Sequence, residues 1–172
     1  LATLPRGWAQ SAPAGDRTAD ARVEALFAPS NSLDSPGAAV AVVKDGIVVY
    51  RKGFGCAQLE YGIPITPATV FHVASVSKQF TALAITMLEV AGKLSADDDI
   101  RKHLPEMADF GAPITIRHLL HHTSGLRDQW DLVNLSGKRF DDVLTQGLLL
   151  DRLFRQKELN FPPCAQHLYS NS

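Results

Sequence analysis

Four residues of this chain have the types and spacing of a nucleophilic catalytic site. Ser75 and Lys78 lie three residues apart, and Tyr169 and Asn171 lie two apart near the C-terminal end. A serine hydroxyl is a poor nucleophile until a neighbouring base takes its proton, and a lysine amine can be that base. The composition predicts about 0.45 chance matches to Ser-x-x-Lys but only about 0.07 to Tyr-x-Asn. Their occurrence in one chain therefore suggests a shared site.

A helix must position the serine and the lysine. The sequence after Ser75 has the apolar period of a helix with one buried face, and Gly92 supplies a stop. Ser75 would lie at the N-terminus of this helix, one turn before Lys78 on the same face, so that hydroxyl and amine can meet. The alternative is an N-cap serine beside an exposed lysine. The predicted buried stripe consists of Phe80, Leu83, Ala84, Met87, Leu88 and Ala91.

Strand signals are concentrated in one hairpin. Two β-rich runs, residues 38–43 and 47–52, flank Lys44, Asp45 and Gly46, and an Asp-Gly pair there predicts a tight hairpin turn. A two-stranded sheet is marginal by itself, so the fold looks incomplete. Residues 53–69 are predicted to be irregular because glycine and proline interrupt them. Further helices are predicted at 18–27 with Thr18 as N-cap, 94–103, 116–122 capped by Thr115, and 140–153.

The beginning of the chain differs in composition from the rest. Residues 1–17 are rich in alanine and proline and are predicted to be a flexible tail, with the folded part at 18–172. The stretch Ala12-Pro13-Ala14 resembles a signal peptidase cleavage site. We therefore expect a periplasmic or secreted protein, with a cytoplasmic one as the alternative.

Composition excludes several classes of partner. The 172 residues have a formal net charge of −1 and scattered lysine and arginine, so no basic patch for nucleic acid is predicted. No apolar run approaches the length of a transmembrane segment. The two cysteines, Cys56 and Cys164, form no metal pattern. A pair of small, mostly buried thiols is the preferred interpretation, and a disulfide between them stays open.

Two polar clusters resemble metal ligands. His118 and His122 are four residues apart, but the glutamate of a zinc-binding His-Glu-x-x-His motif is absent. We therefore expect His121 or His122 to make a structural hydrogen bond. The acidic run of residues 97–99 lacks the liganding positions of a calcium loop, and first-turn interaction with a helix dipole is preferred.

Three segments resemble the serine β-lactamase-related family. They are residues 71–81 (FHVASVSKQFT), residues 114–126 (ITIRHLLHHTSGL), and Phe-Pro-Pro at 161–163 followed by Tyr-Ser-Asn-Ser at 169–172. Within the family they are most similar to class C β-lactamases, D-aminopeptidases, DD-peptidases and the related esterases. The resemblance implies an α/β (α+β) fold of the β-lactamase/transpeptidase type, with an antiparallel sheet beside a helical region. In that fold the remaining strands come from the C-terminal end, which explains the isolated hairpin.

The resemblance also implies a role for each residue of the candidate site. Ser75 is the acyl-accepting nucleophile, and Lys78 is its proton acceptor or electrostatic partner. Tyr169 is the general base or acid that shuttles the leaving-group proton, and Asn171 binds the substrate amide or orients Lys78. No metal or organic cofactor is implied. The expected partner is a small-molecule or peptide-like substrate, and the oligomeric state stays open.

Two departures from the family pattern bear on activity. The third motif, Lys or His followed by Thr or Ser and Gly, does not follow Tyr169 in these 172 residues. Its strand gives one of two oxyanion donors, and losing such a donor typically costs ~100 to 1,000-fold in rate. We therefore expect a fragment or truncated product, with residues 18–172 as the N-terminal part of the domain. The second departure is Cys164, where relatives carry a glycine that suggests a turn with positive φ.

The favoured hypothesis is a serine hydrolase that acts on an ester, an amide or a β-lactam through a serine acyl-enzyme. An esterase or peptidase-like activity is preferred, because an ester leaving group needs less protonation than an amine. The alternative is a catalytically silent protein of the same fold or an inactive truncated fragment, since function depends on a complete site.

Overall fold

The computed structural model describes residues 17–139 and 141–172, which form helices and antiparallel strands in two compact units. The N-terminal unit ends at His72, and the C-terminal unit is Val73–Ser172. The predicted tail, residues 1–17, lies outside the described residues except for Arg17. Within the described ranges, no helix has both the length and the apolar character needed to cross a membrane.

The predicted hairpin is present in the N-terminal unit. Strands β1 (Ala38–Lys44) and β2 (Ile47–Phe54) pair antiparallel, with a register shift between Val42 and Val43. The turn residues Asp45 and Gly46 have φ values of 51° and 77°. Two consecutive positive φ values define the turn type whose twist matches the flanking strands, which confirms the interpretation of the Asp-Gly pair.

A second, very small sheet corrects the prediction for residues 53–69. Strand β3 (Cys56–Gln58) pairs antiparallel with β4 (Ile63–Pro64), and Gly62 adopts the left-handed conformation between them. Strands of three and two residues are too short to show alternation, so the glycine and proline signals dominated the sequence pattern.

Helix α1 (Arg17–Phe27) is the predicted first helix, but it begins one residue earlier, so Thr18 lies inside it and is not its N-cap. Phe27 stacks on Phe54 with ring centroids 5.0 Å apart, while Leu26 is exposed. The apolar side chains of this helix are therefore only partly buried.

The C-terminal unit is built from helices. A 3-10 turn (Ala74–Ser77) leads into α2 (Lys78–Val90), followed by α3 (Ile116–Leu120), α4 (Gln129–Leu135) and α5 (Gln146–Phe154). Among the described residues, its main hydrophobic cluster contains seven buried side chains, those of Ile100, Met107, Ile114, Ile116, Leu126, Leu132 and Leu153.

The predicted buried stripe of α2 is wrong. Phe80 and Met87 are each 64% exposed, and no residue of α2 is buried. The opposite face makes the contacts: Ile85 packs against the core, and Glu89 Oε1 accepts a hydrogen bond from the Ala96 amide at 2.7 Å. At about 100° per residue, Lys78 shares this inward face. Periodicity correctly indicated an apolar face on α2, but the face that packs against the core is the opposite one, which carries Lys78.

Two other helix predictions need correction. The predicted helix at 94–103 is a turn followed by one 3-10 turn (Ile100–Lys102). Asp98 accepts hydrogen bonds from the Ser95 amide at 3.0 Å and from Lys102 Nζ at 2.9 Å, so local acceptors replace the helix. The predicted helix at 140–153 begins at Gln146 with Thr145 as its cap, and Phe140 lies outside the described residues.

The cap of α3 confirms the sequence analysis. Thr115 Oγ1 accepts a hydrogen bond from the His118 amide at 3.3 Å, while the Thr115 amide donates to His118 Nδ1 at 3.2 Å. The helix is shorter than predicted, because it ends at Leu120 with His121 as its C-cap. Helix α4 was not predicted, since seven residues give too few turns for a clear period.

Candidate active site

The serine and the lysine are held by the junction between the 3-10 turn and α2. Ser75 lies within the turn, and Lys78 is the first residue of the α-helix. Lys78 Nζ donates a hydrogen bond to Ser75 Oγ at 3.3 Å, as the one-turn spacing predicts. The preceding Ala74 has a φ of 45°, a conformation that costs a non-glycine residue energy and is found at functional sites.

The structure brings all four predicted site residues together. Tyr169 Oη lies 2.5 Å from Ser75 Oγ, and Lys78 Nζ donates to Tyr169 Oη at 2.7 Å. Lys78 Nζ also donates to Asn171 Oδ1 at 2.8 Å. The lysine therefore faces three oxygen acceptors, one from each of the other three residues.

The site favours the ionised form of the tyrosine. The hydrogen bond from Lys78 lowers the pKa of Tyr169 below its usual value, and the hydrogen bond with Ser75 acts in the same direction. Tyr169 is 47% exposed, so its side chain is open to solvent. A phenolate in this position can accept the Ser75 proton.

One segment that is distant in sequence holds residues 160–172, the tyrosine loop, in place. Residues 122–128 accept a series of hydrogen bonds from residues 160–172. These bonds run from the Asn160 amide to Gly125 O at 2.8 Å, from the Cys164 amide to Thr123 O at 2.9 Å, from the Leu168 amide to His122 O at 3.0 Å, and from Ser172 Oγ to Arg127 O at 2.6 Å. Residues 122–128 therefore act as a cradle for the tyrosine loop, and we call them the cradle segment.

Gly125 allows the two segments to approach. Its φ is 74°, and a Cβ at this position would overlap the carbonyl oxygen of Phe161. Only glycine meets both conditions without displacing the backbone of residues 160–172.

His122 supports the tyrosine from the cradle segment. Its Nδ1 accepts a hydrogen bond from the Ser170 amide at 3.3 Å, and its ring centroid lies 4.6 Å from that of Tyr169. Burial lowers the pKa of His122, and the nearby His167 and Lys78 lower it further. The structural hydrogen bond expected for His121 or His122 is confirmed for His122. Within residues 17–139 and 141–172, no group of three or more His, Cys, Asp or Glu could hold a metal ion.

Sequence reasoning missed Asp128. Its Oδ2 accepts hydrogen bonds from the amide of Asn171 at 2.6 Å and from Asn171 Nδ2 at 2.7 Å. Its Oδ1 accepts from the Trp130 amide at 2.8 Å, which makes it the N-cap of α4. An aspartate before a short helix indicates a cap at most, and nothing in the sequence connected it with residue 171.

Both cysteines are free thiols, Cys56 buried and Cys164 exposed. Cys164 has a φ of 65°, a left-handed conformation that favours glycine over a residue with a side chain. The cysteine therefore strains the loop that leads to Tyr169.

The chain matches a known family over its whole described length. The sequence fits the family model described as Beta-lactamase over residues 16–172. This chain belongs to that family. Its mixed α/β structure with antiparallel strands therefore represents the β-lactamase/transpeptidase-like fold that the resemblance implied.

Similar proteins include two curated sequences. A D-aminopeptidase of Gluconobacter oxydans (strain 621H) is 38% identical over 158 residues, covering 88% of this chain and 28% of that protein. Protein flp of Staphylococcus aureus (strain N315) is 34% identical over 143 residues, covering 79% of this chain and 27% of that protein. The chain thus spans less than a third of the length of these curated relatives.

Two solved structures share the fold. EstCE1, described as a hydrolase with promiscuous acyltransferase activity, has a TM-score of 0.63 and 30% identity, covering 77% of this chain and 38% of that chain. The D-amino acid amidase of Ochrobactrum anthropi SV3 has a TM-score of 0.59 and 26% identity, covering 77% of this chain and 36% of that chain. The first of these proteins is named for hydrolase and acyltransferase activity, and the second for amidase activity.

Proposed function

We propose that this chain carries the nucleophile and the proton-transfer residues of a serine hydrolase of acyl-transfer type, with Ser75 as the nucleophile. The observation that carries the proposal is the contact of Ser75 Oγ with Tyr169 Oη, together with the hydrogen bond that Lys78 donates to the same phenol oxygen. A weak nucleophile, a base within reach and a third group that orients the base are the parts that covalent catalysis requires.

The proposed reaction begins with proton transfer from Ser75 Oγ to the Tyr169 phenolate, which the Lys78 ammonium stabilises. The serine oxygen then forms a bond to the substrate carbonyl carbon, and the carbonyl π electrons move onto its oxygen. Collapse of this intermediate breaks the bond to the leaving group, which takes the proton from Tyr169. In the second half, water gives a proton to the Tyr169 phenolate while its oxygen forms a bond to the acyl carbon. Collapse of this second intermediate breaks the bond to Ser75 Oγ, which takes the proton back from Tyr169 and releases the acid.

Relatives support a range of acyl substrates. The names of the similar proteins mention a D-aminopeptidase, a D-amino acid amidase and a hydrolase with acyltransferase activity. We favour an ester or a peptide-like amide over a β-lactam. An ester is the least demanding of these, because an alkoxide leaves with less help from a proton donor than an amine does.

Covalent labelling tests the proposal. The folded chain is incubated with a fluorophosphonate or a fluorescent penicillin, and peptides are analysed by mass spectrometry. An adduct on Ser75 is expected. Ser75→Ala should remove the adduct. The matched control is Ser77→Ala, a serine in the same turn whose side chain makes no capping hydrogen bond, and it should keep the adduct. A folded sample without an adduct would support the catalytically silent alternative.

A further inference from the structure

We propose that Asp128 is a positioning residue that fixes the orientation of the Asn171 side-chain amide, and through it the Lys78 ammonium. The proposal rests on the proposed function, because the effect on Lys78 matters only if Ser75 and Tyr169 react. In this proposal Asp128 contacts neither Ser75 nor the substrate, and it influences the reaction only by orienting Asn171.

The hydrogen-bonding capacity of each group allows only one amide orientation. The Asp128 carboxylate is an acceptor, and the Lys78 ammonium is a donor. Asn171 lies between them, with Nδ2 2.7 Å from Asp128 Oδ2 and Oδ1 2.8 Å from Lys78 Nζ. A flipped amide would place its NH2 group against the ammonium and its oxygen against the carboxylate. Both contacts would then be repulsive, so Asp128 selects the orientation that offers Lys78 an acceptor.

Asp128 is itself held in place. Its second oxygen caps α4 by accepting from the Trp130 amide at 2.8 Å, and α4 is anchored by the buried side chains of Leu132 and Val133. Asp128 Oδ2 also accepts from the backbone amide of Asn171 at 2.6 Å, so the carboxylate fixes both the main chain and the side chain of this residue. A rigid helix end therefore determines where the asparagine oxygen points.

The oriented Asn171 amide in turn fixes the position of the Lys78 ammonium. Lys78 Nζ has hydrogen bonds to Asn171 Oδ1, Tyr169 Oη and Ser75 Oγ. If Asn171 Oδ1 turns away from Lys78, the ammonium can move away from Tyr169 Oη. The phenolate then loses part of its electrostatic stabilisation. Misplacement of a reacting group by about 1 Å can cost roughly 100-fold in rate.

A double-mutant cycle on labelling rate tests this mechanism. Asp128→Ser keeps a side chain suited to an N-cap but removes the carboxylate that faces Asn171. We expect it to lower the rate of Ser75 labelling about 10- to 100-fold in the parent chain. In the Asn171→Ala background the loss should be clearly smaller, because the side-chain amide that links Asp128 to Lys78 is gone and only the bond from the backbone amide of residue 171 remains. Equal losses in both backgrounds would overturn the proposal.

A second measurement does not depend on activity. The side-chain NH2 resonances of Asn171 are identified in a 1H–15N spectrum by their absence in Asn171→Ala. Asp128→Ser should shift them, whereas Thr145→Ala, which removes the cap of α5, should not. If the folded parent is not labelled on Ser75, the proposed function fails and these resonances alone decide the positioning. Unchanged Asn171 resonances in Asp128→Ser would refute it.

Discussion

Lys78 Nζ donates a 2.7 Å hydrogen bond to Tyr169 Oη, although the two residues are 91 positions apart in the sequence. This contact joins the start of α2 to the loop that ends the described chain. It places a cation beside a phenol whose oxygen also contacts the Ser75 hydroxyl. The ionisation of Tyr169 therefore depends on Lys78, and in the proposed mechanism the activation of Ser75 depends on it as well.

The first prediction concerns the titration of Tyr169. Because the Lys78 hydrogen bond is the main cause of its lowered pKa, Tyr169 should ionise below the usual value of 10.0, and Lys78→Met should move its midpoint upward. Phenolate absorbance, corrected by subtracting the Tyr169→Phe spectrum at each pH, gives the midpoint. The same midpoint in the parent and in Lys78→Met would contradict the electrostatic role of the lysine.

A second prediction concerns stability at mildly acidic pH. The folded state holds the pKa of His122 below its usual 6.5, mainly through burial, so the unfolded chain binds a proton at a pH where the folded chain does not. Lowering the pH therefore favours unfolding. His122 has a φ of 55°, a conformation that asparagine tolerates. His122→Asn should lose less unfolding free energy than the parent when the pH falls from about 7.5 to about 5.5.

Urea unfolding at several pH values measures this difference. The exposed neighbour His121 provides the matched control, and His121→Asn should lose stability as the parent does. If unfolding free energy falls equally with pH in the parent and in His122→Asn, the environment of His122 does not contribute to the acid sensitivity of the fold.

The third prediction tests the approach of the cradle segment to residues 160–172. Gly125→Ala should destabilise the chain by about 2 to 4 kcal/mol, because it combines a positive φ with overlap at the Phe161 carbonyl. A Cβ added at Gly147 would meet no atom within 4 Å, and this residue lies in α5, so Gly147→Ala should not destabilise. Denaturant unfolding compares the two, and equal effects would refute the close-approach argument.

The fourth prediction concerns Cys164. Its φ of 65° is unfavourable for a cysteine, so Cys164→Gly should raise the unfolding free energy by about 1 kcal/mol. The adjacent Ala165→Gly serves as the control, since φ is not positive there and added flexibility should lower stability. A loss of stability in Cys164→Gly would mean that the thiol makes a compensating contact.

Local sequence signals predicted the parts of the fold that depend on near neighbours. The Asp-Gly turn follows from the φ values that two residues must adopt, and the Thr115 cap follows from a side chain and an amide three residues apart. The meeting of Ser75 with Lys78 is equally local. For Tyr169 and Asn171, the rare Tyr-x-Asn spacing and the family resemblance supplied what local rules could not.

The remaining features depend on contacts between distant residues. The apolar stripe of α2 was assigned to the interior because periodicity shows that a helix has two faces but not which one packs inward. Asp128 was missed because its partner, Asn171, is 43 positions away. A carboxylate before a short helix has the same sequence signature whether it only caps the helix or also orients a second residue.

The most direct test of the account is the rate of covalent adduct formation on Ser75 in the parent, Lys78→Ala and Tyr169→Phe. General acid–base catalysis typically contributes about 100- to 10,000-fold, so both variants should react at least about 100-fold more slowly while remaining folded. The exposed Tyr61, in the N-terminal unit, provides the control Tyr61→Phe, which should react as the parent does. Undiminished labelling of Ser75 in either site variant would contradict the central claim that Lys78 and Tyr169 activate the serine.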